Sequence, residues 1–182
     1  MKNVTILTGG PIVLEVFYPD RYEESVYGID FQSLYDEGKR GIIFDIDNTL
    51  VEHDADANKR SVELFEKLRR IGFKTCLLSN NDEERVKRFN KDINSYYVYK
   101  AGKPNKKGYL KAMMIMGLTK EETVFIGDQL FTDIYGAKKL GMDNICTKPI
   151  GPKEEIQIVL KRKLEKIVFH SYKKSMKKKA GN

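Results

Sequence analysis

In this chain of 182 residues, positions 44–50 read Phe-Asp-Ile-Asp-Asn-Thr-Leu, and its two carboxylates, Asp45 and Asp47, are the side chains best placed to do chemistry. An apolar run, Ile42-Ile43-Phe44, stands directly before them and is of the kind that forms a buried parallel strand. Open α/β sheets bind ligands at the carboxyl ends of their strands, which is where both acids fall if the strand ends near Asp45. Spacing two sends the side chains to opposite sides of an extended backbone. One carboxylate can then attack a substrate while the other reaches round to its leaving group. Alone the pattern is weak, because acids at strand ends also serve as turn and cap residues.

Three more apolar runs end in polar groups suited to the same site. Residues 73–78 run into Ser79-Asn80-Asn81, and residues 96–99 lead to Ala101-Gly102-Lys103-Pro104. Residues 123–126 lead into Gly127-Asp128, with Thr132-Asp133 just beyond. Singly, Ser79 could cap a helix, Lys103 could be solvated and Asp128 could be a turn residue. Four such sets at the ends of four successive strands are hard to assemble by accident.

Between the runs lie helical patterns. Over residues 59–71, Val62, Leu64, Phe65, Leu68 and Ile71 recur at near-helical spacing and Gly72 ends the run. Asp82 reads as an N-cap for residues 83–90, with Glu83 and Glu84 in the first turn. Asn105 reads as the cap of a helix through Met116, its Met113, Met114 and Met116 taken as core filler. Residues 131–140 form a further short helix before Gly141, and 144–147 a fifth strand. Alternating strands and helices with short connections imply a parallel sheet.

The four polar sets, in order, resemble the four motifs of the haloacid dehalogenase-like (HAD) superfamily of phosphotransferases, over roughly residues 40–150. The wording around them is similar to that of the YqeG-type proteins of subfamily IIIA, behind a leader resembling Phe17-Tyr18-Pro19-Asp20-Arg21-Tyr22. Those proteins are related to phosphatidylglycerophosphate phosphatases. The resemblance implies a Rossmann-like three-layer α/β sandwich with strand order 3-2-1-4-5. It also implies a division into a leader packed on the core (1–38), a catalytic core (39–152) and a C-terminal helix with tail (153–182).

It assigns chemistry residue by residue. Asp45 is the nucleophile that forms an aspartyl-phosphate, and Asp47 the acid and then base. Mg²⁺ is held by Asp45, the Asp47 carbonyl and Asp128, an all-oxygen set suiting a hard ion. Ser79, the backbone around Asn80 and Lys103 bind the phosphoryl oxygens. Thr49 supports the first motif, and Asp133 is a metal-shell carboxylate or orients Lys103; Asn48 receives no role. Only 29 residues separate Thr49 from Ser79 and 22 separate Asn80 from Lys103, too few for the cap domains that many relatives insert there. A capless site lacks a lid and stands open to a phosphate on a bulky object.

The remaining composition bounds the class. The hydrophobic fraction is 41%, and no apolar run approaches the ~20 residues of a membrane span. Val4, Ile6 and Leu7 are broken by Gly9-Gly10-Pro11, so no signal peptide is read. Cys76 and Cys146 fall in expected buried strands and read as reduced thiols of a cytoplasmic protein. His53 and His170 have no companions for a zinc site.

Charge is distributed unevenly. Residues 1–152 hold 23 basic and 23 acidic side chains, so the formal +7 arises in residues 153–182, with ten basic and three acidic. Ile156, Leu160, Leu164, Ile167 and Val168 form a helical stripe among Lys161, Arg162, Lys163 and Lys166, followed by Lys173, Lys174 and Lys177-Lys178-Lys179. A basic amphipathic helix with a polybasic end suits anionic lipid headgroups at the inner membrane face. Its alternative is a helix docked on the domain with a solvated tail. Nucleic acid is not expected, since no basic platform interleaved with aromatics is present. The expected reaction is hydrolysis of a phosphomonoester on a lipid headgroup such as phosphatidylglycerophosphate. The alternatives are a phosphatase for soluble or macromolecular phosphates, or a non-catalytic protein that binds nucleic acid or ribosomal partners.

Overall fold

The computed structural model describes residues 14–151 and the helix at 156–180, with side chains in that helix described from 164 to 177. The apolar runs become strands: β1 (Arg21–Glu23), β2 (Gly41–Phe44), β3 (Lys74–Leu78), β4 (Tyr96–Val98), β5 (Thr123–Gly127) and β6 (Asp143–Thr147). Every neighbouring pair is parallel, in the order β1-β6-β5-β2-β3-β4. This differs from the expected order in having six strands. Read from the β4 edge, the five expected strands stand as 3-2-1-4-5 and the leader then adds one more. Tyr22 lies opposite Cys146, so β1 covers an edge of β6 that would otherwise offer unpaired backbone groups. Three residues are too few for a period-two signal, which is why the sequence hid this strand.

Side chains of the central strands alternate between two apolar layers. Ile42, Phe44 and Leu77 pack against α2 (Lys59–Ile71) and α3 (Glu83–Asn90), with Phe31 and Leu34 of α1 (Phe31–Asp36). Ile43, Cys76 and Phe125 face the other way, onto α4 (Lys106–Met116) and α5 (Tyr135–Lys138). Each fully buried Phe or Ile contributes about 2 kcal/mol of apolar burial. Helix ends follow their caps: Asn58 and Ser61 form a capping box for α2, Asp82 accepts from Arg85 N, and Asn105 accepts from Lys107 N. Gly72 and Gly117 close α2 and α4 with positive φ, the conformation glycine adopts without strain.

Three expectations need correction. The helix expected over 131–140 is a π-helical turn, Leu130–Ile134, running into the four-residue α5. Ile134 N reaches back five residues to Gln129 O, at 3.2 Å, in a wide turn that brings Asp133 under the sheet's end. Met114 is 73% exposed, whereas Met113 and Met116 are buried. In α6 (Ile156–Ala180), Leu164 and Ile167 are 54% and 61% exposed, while Val168 and Glu165 are buried. The apolar stripe is therefore split: Val168 joins Leu130, Ile134 and Cys146, and the Tyr18 hydroxyl donates to Ser171 Oγ at 2.6 Å. The expectations about Val4, Ile6, Leu7 and Gly9-Gly10-Pro11, and about the side chains of Ile156, Leu160, Lys161, Arg162, Lys163, Lys178 and Lys179, lie outside the described residues.

Candidate active site

The first motif turns back on itself as soon as β2 ends. Asp45 N still bonds Ile126 O at 2.9 Å, but Asn48 takes φ 64, and Leu50 N returns to Ile46 O at 2.9 Å. Asparagine tolerates this left-handed conformation better than most residues. The reversal brings the buried Thr49 hydroxyl within 3.3 Å of Asp45 Oδ2 and 3.2 Å of Asp128 Oδ1. Asp128 follows β5 directly, so the first and fourth polar sets meet through one threonine.

Lys103 comes in from the loop after β4. Its buried ammonium contacts the Asp45 carboxylate and lies 2.7 Å from Asp133 Oδ1. Asn80 does not point at the reacting centre. Its side-chain amide accepts from Lys103 N at 2.7 Å and donates to Lys103 O at 3.3 Å, so it fixes the lysine's backbone. The buried Ser79 follows β3, and its hydroxyl accepts from Asn81 N at 3.1 Å.

Asp133 is held by its surroundings as firmly as it holds Lys103. Its Oδ2 accepts from Gln129 N at 3.1 Å. A Cβ at Gly127 would stand 2.6 Å from that same oxygen, so only glycine lets the strand end come this close. Beneath, the buried Tyr109 hydroxyl donates to the Thr132 and Asp133 carbonyls, both at 3.0 Å. Tyr109 itself needs the missing side chain of Gly136, where a Cβ would lie 2.2 Å from its oxygen.

The electrostatics follow from burial. Loss of water pushes the Asp45 carboxyl up to about 7, against the opposing pull of Lys103. Burial alone would lower the Lys103 ammonium, but Asp133 and Asp45 hold it above its ordinary value. The carboxylates of Asp45, Asp128 and Asp133 place ligand oxygens within 4.8 Å of one another. All the donors in this buried cluster are oxygen, the ligand type a hard divalent cation prefers.

Asp47 is placed differently from its partner. Its Oδ1 accepts from Asp54 N at 2.7 Å and from Arg85 Nη2 at 2.9 Å, and its Oδ2 accepts from Asn81 Nδ2 at 2.8 Å. Sequence reasoning passed over Asn81, Arg85, Tyr109 and Glu165. The last, on α6, accepts from Leu130 N at 2.6 Å at the head of the π-helical turn. Only the Asn-Asn pair after β3 offered a local signal for any of them.

The comparisons with known proteins agree with this geometry. A sequence profile described as "haloacid dehalogenase-like hydrolase" matches residues 53–141. The "Probable phosphatase YqeG" of Bacillus subtilis is 36% identical over 159 residues, 87% of this chain and 92% of that protein. An uncharacterized protein from Listeria monocytogenes superposes with TM-score 0.52 at 20% identity, covering 64% of this chain and 84% of its own. A HAD-like hydrolase structure from Porphyromonas gingivalis gives TM-score 0.50 at 15% identity, covering 68% and 97%. These two structures share the fold alone. The chain belongs to the haloacid dehalogenase-like hydrolases and is an enzyme of that family.

Proposed function

We propose that this hydrolase is a Mg²⁺-dependent phosphatase acting through an aspartyl-phosphate, with a phospholipid headgroup such as phosphatidylglycerophosphate as substrate. The observation that carries the phosphatase reading is the buried set of Asp45, Lys103, Asp128 and Asp133 converging at the ends of β2, β4 and β5. An Asp45 oxygen attacks phosphorus, the bond to the leaving oxygen breaks, and Asp47 gives that oxygen a proton. Water then attacks the aspartyl-phosphate, Asp47 takes the water's proton, and inorganic phosphate leaves with Asp45 restored. Lys103 and the Ser79 segment balance charge on the phosphoryl oxygens. Asp45, Asp128 and the Asp47 carbonyl would hold Mg²⁺, which supplies Lewis-acid charge compensation when bound. Asp133 keeps Lys103 aimed at Asp45 and lies close enough to join the metal's carboxylate shell.

The lipid reading is supported by two features. Among the described residues no cap covers the site; α2 with β3, and α3 with β4, fill the intervals where one could be inserted. The outward side of α6 carries the exposed Leu164 and Ile167 beside exposed Lys166, Lys173 and Lys174, a basic and apolar surface suited to an anionic membrane. This would place the enzyme in the cytoplasm, peripheral at the inner membrane face. Among the described residues no helix is long and apolar enough to cross a membrane.

A phosphate-release screen over lipid, sugar, nucleotide and phosphopeptide esters tests this. The expected result is fastest turnover of phosphatidylglycerophosphate in anionic vesicles with Mg²⁺. Faster turnover of a soluble ester would replace the lipid by a soluble substrate, and no turnover of any ester would support a binding role.

A further inference from the structure

We propose that Asn81 and Arg85 form a clamp that orients Asp47 for proton transfer with the leaving oxygen. They act as positioning residues of the reaction, and this rests on the reading of Asp47 as its acid and base. The two come from one short stretch. Asp82 caps α3 and takes the backbone N–H of Arg85 at 2.9 Å, which sets the first helical turn. From there Arg85 Nη2 reaches Asp47 Oδ1 at 2.9 Å and Ala55 O at 2.8 Å, while Asn81 Nδ2 takes the other oxygen of Asp47 at 2.8 Å. A carboxylate gripped at both oxygens by donors on one rigid segment has no free rotation about its last bond.

This matters in a site over which the described residues place no cap. The Asp47 side chain is 14% exposed, while its guanidinium partner is 6% exposed. A solvent-touching acid must be pointed by something, and among the described residues no covering domain does so. Asn81 also ties the clamp to the phosphate end of the site. Its N–H donates to Ser79 Oγ at 3.1 Å, and its carbonyl accepts from Lys100 N at 2.8 Å, three residues before Lys103. One residue therefore fixes the proton donor relative to the groups proposed to hold the phosphoryl oxygens.

The proton's destination makes the proposal testable. When the phosphorus–oxygen bond breaks, an alkyl leaving group needs a proton from Asp47, whereas p-nitrophenolate departs as a stable anion. Arg85→Gln is expected to lower kcat/KM for glycerol phosphate by about 10²-fold, the usual range of general acid catalysis, with less than about threefold loss on p-nitrophenyl phosphate. Asn81→Ala should show the same selectivity to a smaller degree, and Arg85→Lys should recover part of it. In an Asp47→Asn background, Arg85→Gln should add no further loss on glycerol phosphate, since the group it positions is gone.

Equal losses on both esters, or an undiminished loss in the Asp47→Asn background, would show a merely structural role and overturn the clamp alone. A rise in turnover would show a latch that holds Asp47 away from the reaction, and would overturn it too. An unchanged ester ratio in Asp47→Asn itself would overturn the acid assignment and the clamp with it. Thermal unfolding of each variant, with Asn81→Ala as the milder lesion, separates misfolding from misplacement.

Discussion

The strand-end site and the seat of the C-terminal helix both bury carboxylates, and they do so for opposite reasons. At the site, Asp45 and Asp133 are drawn onto Lys103, and Thr49 ties Asp45 to Asp128. Charge there is concentrated, with three buried carboxylates offering oxygens within 4.8 Å of one another. Under α6, a single carboxylate, Glu165, takes the backbone N–H of Leu130 amid Val168, Ile134 and Cys146. Charge there closes a helix onto the core, while Lys166, Lys173, Lys174 and Lys177 stay exposed. The π-helical turn joins the two regions, since Leu130 opens it and Asp133 lies within it. The docked helix that the sequence left as an alternative to a membrane-binding one thus braces a turn of the site.

Substitutions at the two regions should separate them. Asp45→Asn is expected to cut phosphate release by on the order of 10⁴-fold or more while the melting temperature holds, since it removes the proposed nucleophile and proposed metal ligand together. Full activity in that variant would break the site half of the comparison. Asn80→Ala should lower kcat by about 10²-fold by letting the Lys103 backbone drift, with the fold intact by circular dichroism. On the helix side, Val168→Ala or Glu165→Ala should each cost about 2 kcal/mol in denaturant unfolding, through lost burial or an orphaned Leu130 N–H.

Buried Asp45 also sets a pH dependence. Its carboxyl is raised from 3.8 to about 7 by desolvation, with Lys103 opposing. Below the lower value both folded and unfolded chains carry the proton. Through the window up to about 7 the unfolded chain releases it first, so the metal-free fold loses stability as pH rises. A bound cation requires the ionised form, so Mg²⁺ should raise the melting temperature more at pH 8 than at pH 5. The smallest effects belong to the outer face of α6. Replacing Lys166 or Lys174 by Ala should weaken binding to anionic vesicles by about 1 kcal/mol each, more visibly at low salt, and leave turnover of p-nitrophenyl phosphate unchanged.

What the sequence disclosed was local. Asp45, Ser79, Lys103 and Asp128 stand directly after apolar runs or within a few residues of them, so strand ends and polar sets could be read together. The three-layer sheet was legible for the same reason. The partners that complete the site are remote in the chain. Arg85 meets Asp47 across 38 positions and Tyr109 meets Asp133 across 24, and no periodicity marks either pair. The split stripe of α6 is instructive in the same way. Leu164 and Ile167 fit an apolar stripe, yet a buried glutamate and a valine decide which side faces the core. Helical spacing shows that a face exists, but only packing shows where it points.

The most direct test of the account is to find where the phosphoryl group goes. Enzyme mixed with a phosphomonoester and Mg²⁺, quenched in acid within milliseconds and analysed by peptide mass spectrometry, should carry one phosphoryl group on Asp45. It should be released by hydroxylamine and absent from Asp45→Asn. A phosphoryl group on any other residue, or turnover persisting without Asp45, would contradict the mechanism.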